Sequence, residues 1–114
     1  MSVELSAITV DCANAAKLAG FWAGVLGRGV DDGASEEFAS IGADGGPGWA
    51  FTRVPEPKGP KNRVHADFAV ADLSAEVERV VGLGAEVLAE REEDGARWTT
   101  LADPEGNEFC LVAA

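Results

Sequence analysis

Residues 101–112 read LADPEGNEFCLV. Asp103, Pro104, Gly106 and Asn107 interrupt two apolar runs, so the stretch predicts a strand over Arg97–Ala102, a tight turn, and a last strand over Glu108–Val112. Alternation along that last strand sends Phe109 and Leu111 to one face and Glu108, Cys110 and Val112 to the other. Glu108 is the anomaly: a carboxylate at the mouth of an apolar strand. A solvated side chain is one account of it, and a side chain lining a site is the other.

Working back along the chain, residues 63–87 (RVHADFAVADLSAEVERVVGLGAEV) open with a strand that ends near Ala71. Asp72 or Ser74 then caps a helix whose buried stripe is Val77, Val80 and Val81, and Gly84 stops it. A short strand at Glu86–Ala89 follows. Residues 5–27 (LSAITVDCANAAKLAGFWAGVLG) have the same plan: a β-rich run, Asn14 as N-cap, Leu18, Phe21, Trp22 and Val25 at helical spacing, and Gly27 as the stop. Strands near Gly29–Asp31, Phe38–Ile41 and Trp49–Val54 complete this half. Val10 aligns with Val70 and Phe51 with Phe109, an internal repeat of about 60 residues. The expected fold is α+β: paired βαβββ modules, 1–54 and 63–114, forming one domain across an exposed linker, 55–62, of sequence PEPKGPKN.

The chain has 114 residues, 46% hydrophobic and 25% charged, with a formal net charge of −11. Such acidity excludes a nucleic-acid binder, which needs excess Lys and Arg, and disfavours an anionic membrane surface. It favours a cationic small ligand if the charge is focused in a cleft, and otherwise serves solubility. No apolar run approaches the roughly 20 residues of a membrane span. The start MSVELSAITV lacks the basic and apolar regions of a signal peptide, so a cytoplasmic location is expected. Cys12 and Cys110 lie in apolar segments without metal-type spacing and read as buried free thiols.

The paired modules, the FWAGVLG that closes the first helix and the LADPEGNEFCLV near the end together resemble the vicinal oxygen chelate superfamily, which includes glyoxalase I, bleomycin- and fosfomycin-resistance proteins and extradiol dioxygenases. The resemblance covers nearly the whole chain, and DPEGNEF with the apolar pair after it is its most specific part. It implies a mixed sheet curled around a cavity with the helices outside, and a frequent pairing into homodimers. It also implies a divalent metal held by four positions, which fall here on Leu5, Ala50 (Trp49 if the register slips by one), His65 and Glu108. Leucine and alanine bind no metal. The second module keeps a His and a Glu where the first has lost both, so the site is degenerate, and the cofactor is left open between none and a weakly held divalent ion.

The resemblance, with this departure, implies a small-molecule-binding protein of the bleomycin-resistance type or a metal-independent acid–base enzyme using His65 and Glu108. The alternative is a metal-dependent lyase, isomerase or dioxygenase. Asp67 shares a face with His65, so a His65, Asp67, Glu108 set is a further option, although an i to i+2 step of about 6.5 Å makes a shared ion awkward. A hydrogen bond between His65 and Glu108, with no chemistry, is the plain account. Trp98 and Thr100 share parity and face the cavity if the register holds, where an indole suits a flat or cationic ligand; core packing is the other reading of Trp98. Trp22 and Trp49 are expected in the core. Residues 90–95 (EREEDG) read as a solvated hairpin tip, and residues 42–51 (GADGGPGWAF) lack the spacing and lysine of a phosphate loop.

Overall fold

The computed structural model describes residues 5–114. The first four residues, on which the reading of the N-terminus partly rests, lie outside them. The chain forms two compact units, Met1–Pro57 and Lys58–Ala114.

In the first unit β1 (Ala7–Cys12) leads into α1 (Ala15–Leu26), followed by β2 (Phe38–Ile41) and β3 (Gly48–Arg53). The side chain of Asn14 accepts from the Lys17 N–H at 3.1 Å and starts α1. Gly27, at φ 67°, takes the left-handed conformation that ends it. The chain returns from β1 through α1 and β2 to β3, which pairs parallel to β1, and β2 lies antiparallel on the other side of β3. Leu18, Phe21 and Trp22 on α1 are buried, with Ile41 and Phe51 among the buried side chains of the sheet. Trp22 stacks on Trp49 at 5.4 Å and 22°, which fixes Trp49 under the helix as its parity with Phe51 predicts.

The expected strand at Gly29–Asp31 does not form, so the first unit is βαββ. The Asp31 N–H does reach the Ser40 carbonyl at 2.9 Å. The Asp31 carboxylate, however, takes the Ser40 hydroxyl at 2.7 Å and the Gly42 N–H at 3.3 Å. Side-chain bonding replaces the ladder, as short acidic residues do where backbone is short of partners.

The second unit runs β4 (Ala66–Val70), α2 (Leu73–Leu83), β5 (Glu86–Glu93), β6 (Ala96–Ala102) and β7 (Glu108–Ala113), in spatial order β4-β7-β6-β5. The Asp72 side chain caps α2 by accepting from the Ala75 N–H at 3.1 Å. Val80 is fully buried, but Val81 is 43% exposed; adjacent helical residues point about 100° apart, so only one of the two can face the sheet. β5 runs four residues beyond its expected end. Its charged half is tolerated because β5 is an edge strand, where charge also blocks unwanted pairing. The two-residue turn Asp94–Gly95, at φ 51° and 83°, has the positive angles of a tight hairpin and lets both strands run up to it. No helix among the described residues is long and apolar enough to cross a membrane.

Candidate functional site on the sheet of the second unit

The turn between β6 and β7 sets the site's frame. Asp103, 4% exposed, accepts from the Glu105 and Asn107 N–H groups, both at 2.9 Å, and from the Asn107 side-chain amide. The Asp103 N–H donates to the Asn107 carbonyl at 2.8 Å, closing the hairpin. This clamp fixes the register in which Ala102 faces Glu108, Thr100 faces Cys110 and Trp98 faces Val112. Parallel pairing of β4 with β7 places Asp67 opposite Cys110 and Ala69 opposite Val112.

Two faces follow. Phe109, Leu111, Leu101 and Thr99 are buried on the face that packs against α2. Phe68 meets Phe109 edge-on at 6.3 Å. The opposite face carries Asp67, Trp98, Thr100, Glu108, Cys110 and Val112, the set that strand alternation predicts.

Within this face the candidates separate into two clusters. Glu108 belongs to the first. Its Oε1 accepts from the Asn62 N–H at 3.0 Å, and the Asn62 amide donates to the Glu108 carbonyl at 2.9 Å. The ammonium groups of Lys58 and Lys61 stand 3.7 and 3.8 Å from the carboxylate. The Asn62 N–H holds the Glu108 carboxyl below its ordinary range; burial, the next effect in size, opposes it, and the Lys58 and Lys61 charges add further lowering. Glu108 is thus a carboxylate anion with its partners already in place. The stretch expected to be a free linker supplies them, so its end is part of the second unit.

His65 belongs to the second cluster. It lies one residue before β4, and its Nε2 is 3.3 Å from Asp67 Oδ1, both side chains being about half exposed. No hydrogen bond joins His65 to Glu108; each has taken a different partner. The ligand atoms of His65, Asp67 and Cys110 lie within 4.8 Å of one another. Thr100 Oγ1 sits 3.3 Å from Cys110 Sγ. From the sequence His65, Asp67 and Thr100 stand out as candidates, while Cys110 reads as a plain buried thiol. The signal available was its parity with Glu108 on the inward face.

The metal that the superfamily resemblance implies does not fit at Glu108. A divalent ion there would have to displace two ammonium groups and the Asn62 N–H. Of the other implied positions, Leu5 is 67% exposed and precedes β1, and Ala50 lies in β3; both side chains are hydrocarbon. A cleft of about 250 Å³ lies between α2 and the β5–β6 hairpin, bordered by Ser74, Val77, Glu78, Glu90, Trp98 and Thr99, so Trp98 adjoins it too. That volume is below the usual range of small-molecule pockets.

In each unit a helix and at least one further strand lie between two strands that pair in parallel, β1 with β3 and β4 with β7, the module pattern of the vicinal-oxygen-chelate fold. The family model described as a glyoxalase-like domain matches residues 7–112, and the chain belongs to that family. Among solved structures it is similar to a glyoxalase/bleomycin resistance protein/dioxygenase family enzyme from Burkholderia phytofirmans, with TM-score 0.80, 20% identity and coverage of 97% of this chain and 98% of that one. It is also similar to the fosfomycin resistance protein FosX from Listeria monocytogenes, with TM-score 0.79, 19% identity and coverage of 100% and 95%. A third, a superfamily member from Sphaerobacter thermophilus, has TM-score 0.71, 18% identity and 98% coverage of both chains. No curated protein matches the chain.

Proposed function

We propose that this glyoxalase-like protein binds a small, flat organic molecule on the β4-β7-β6-β5 sheet face without a metal ion at Glu108. The single observation that carries the reading is the commitment of the Glu108 carboxylate to Asn62, Lys58 and Lys61. Half-buried Trp98 offers an indole for stacking, and Thr100 a hydroxyl in the next position on the same face. The net charge of −11 favours a cationic ligand through the field of the whole molecule. A homodimer, common in the superfamily, is the assembly we favour, and a cytoplasmic location suits the two free thiols.

If the protein also catalyses a reaction, the proton-transfer group is His65. Asp67 stands where it can orient the imidazole, while a carboxyl held in its anionic form is a poor acid at neutral pH. The metal-dependent lyase, isomerase or dioxygenase reading requires Glu108 to release three partners first, and nothing in the site favours that.

The test is a thermal-shift and tryptophan-fluorescence screen against flat heterocycles and organic cations. A hit should raise Tm and perturb the emission in the parent protein. Both effects should vanish in Trp98→Ala and persist in Glu108→Gln. Turnover of the methylglyoxal–glutathione adduct that is lost in Glu108→Gln would overturn the reading.

A further inference from the structure

We propose that the cleft between α2 and the β5–β6 hairpin binds a short zwitterion, an ω-amino acid whose ammonium and carboxylate stand about 5–6 Å apart. Its floor, Thr99, belongs to the helix side of the sheet, opposite the face that carries Thr100 and Cys110. The inference goes beyond the small-molecule reading above and does not rest on it.

Local charge selects the class of ligand. The chain as a whole carries a net charge of −11, but the cleft is balanced: Glu78 and Glu90 border it, and so do Arg91 and Arg97. A simple cation would meet two guanidinium groups there and a simple anion two carboxylates, whereas a molecule with both charges complements both. These groups have not neutralised one another. Among the described residues Glu78, Glu90 and Arg91 join no ion pair. Arg97 reaches only Glu92, outside the cleft lining, at 3.8 Å, and a contact that long between exposed side chains holds it weakly.

The floor gives a second, independent sign. Thr99 is 3% exposed and borders the cleft, yet its hydroxyl makes no hydrogen bond among the described residues. No fully buried side-chain polar atom among those residues lacks a partner, so the Thr99 hydroxyl keeps the little open surface it has on the cleft side. It can both give and take a hydrogen bond there, and a nearly buried hydroxyl is costly to leave without one.

Spacing sets the length of the ligand. α2 turns back into β5 within two residues, so its first turn lies toward the hairpin end of the sheet, where Arg97 is. Ser74 in that turn precedes Glu78 by four residues, about 6 Å of helix rise. On the facing wall Arg97 precedes Thr99 by two residues, about 6.5 Å, and Glu90 is the direct partner of Thr99. Each wall therefore offers a donor at one end and a carboxylate about one such step away, with Val77 as the apolar stretch between them. An α-amino acid is too short for that step, and a γ-amino acid matches it. The volume of about 250 Å³ suits a molecule of this size rather than a larger one.

The experiment titrates the ¹⁵N-labelled full chain with glycine, β-alanine and γ-aminobutyrate, and separately with butylamine and butyrate, following backbone amide shifts. γ-Aminobutyrate should bind saturably and tightest of the five, moving the amides of Ser74, Glu90 and Thr99. Glu90→Gln and Arg97→Gln, both exposed substitutions that leave the core untouched, should each weaken it by about tenfold, the worth of one charge-assisted hydrogen bond. Glu108→Gln should bind like the parent. No saturable shift, equal binding of butylamine or butyrate, glycine binding as tightly as γ-aminobutyrate, or an unchanged affinity in either variant would each overturn the proposal. Shifts confined to Thr100 and Cys110 would do so as well. The small-molecule reading stands or falls by its own screen of flat heterocycles and organic cations.

Discussion

Glu108 is placed by alternation and governed by its neighbours. Its side chain accepts a backbone N–H that would otherwise be unpaired in a part-buried position, so Glu108→Ala should cost about 1–3 kcal/mol in urea denaturation. Glu108→Gln should cost less, because an amide oxygen can still accept from Asn62. The lowered carboxyl pKa fixes the sign of the pH dependence. An unfolded chain binds this proton more readily than the folded one, so the stabilisation is complete above about pH 4.5 and is lost as pH falls through the lower folded value. The stability difference between the parent and Glu108→Gln should therefore shrink as pH falls below about 4.5. The facing of this residue was legible from a single strand. Its partners were not, because Asn62 lies 46 residues away in a stretch that reads as a linker by composition. Pro, Gly and Lys content predicts exposure, and most of residues 55–62 are exposed, but composition cannot say that the end of such a stretch docks on a carboxylate.

The elements followed their local signals where backbone chemistry was unambiguous. Asn14 and Asp72 cap their helices as their side-chain chemistry demands. Asp94–Gly95 makes the hairpin that its sequence advertises, and Gly95→Ala should cost about 1 kcal/mol because φ is 83° there. The Asp103 clamp is the stronger case. Asp103→Ala removes the acceptor of two backbone N–H groups in a buried turn, and should cost about 2–3 kcal/mol by chemical denaturation while loosening the β6–β7 register. Amide exchange at Leu101 and Phe109, partners beside that turn, should accelerate first. The strand expected at Gly29–Asp31 failed for a reason that propensity does not carry: a carboxylate at position 31 found a hydroxyl and an N–H close by. The facing of Cys110 is legible from parity in its own strand, but its neighbours are not: Asp67 comes from the adjoining strand and Thr100 from across the hairpin.

For the whole chain, the repeat was visible because both halves place a helix between parallel strands, and the buried aromatics recur at equivalent places. Phe51 and Phe109 are each at most 1% exposed, one in each unit. Phe109→Ala should cost about 3–5 kcal/mol, measured by urea denaturation. The acid excess, with a sequence pI of about 4.3, has its own outcome: solubility should be lowest near that pH, read by turbidity across a pH series. Binding of a cationic ligand should also weaken with added salt, because the attraction is the field of many screened charges rather than one buried pair.

In both sheets one inner strand, β3 or β7, leaves the ribosome after both of its neighbours. While each unit is being made, β1 or β4 therefore emerges with no adjacent partner, and waits through a helix and one or two further strands before the inner strand arrives to join the sheet. A released chain truncated just before residue 108 should accordingly be able to form the β5–β6 hairpin but leave β4 open to protease.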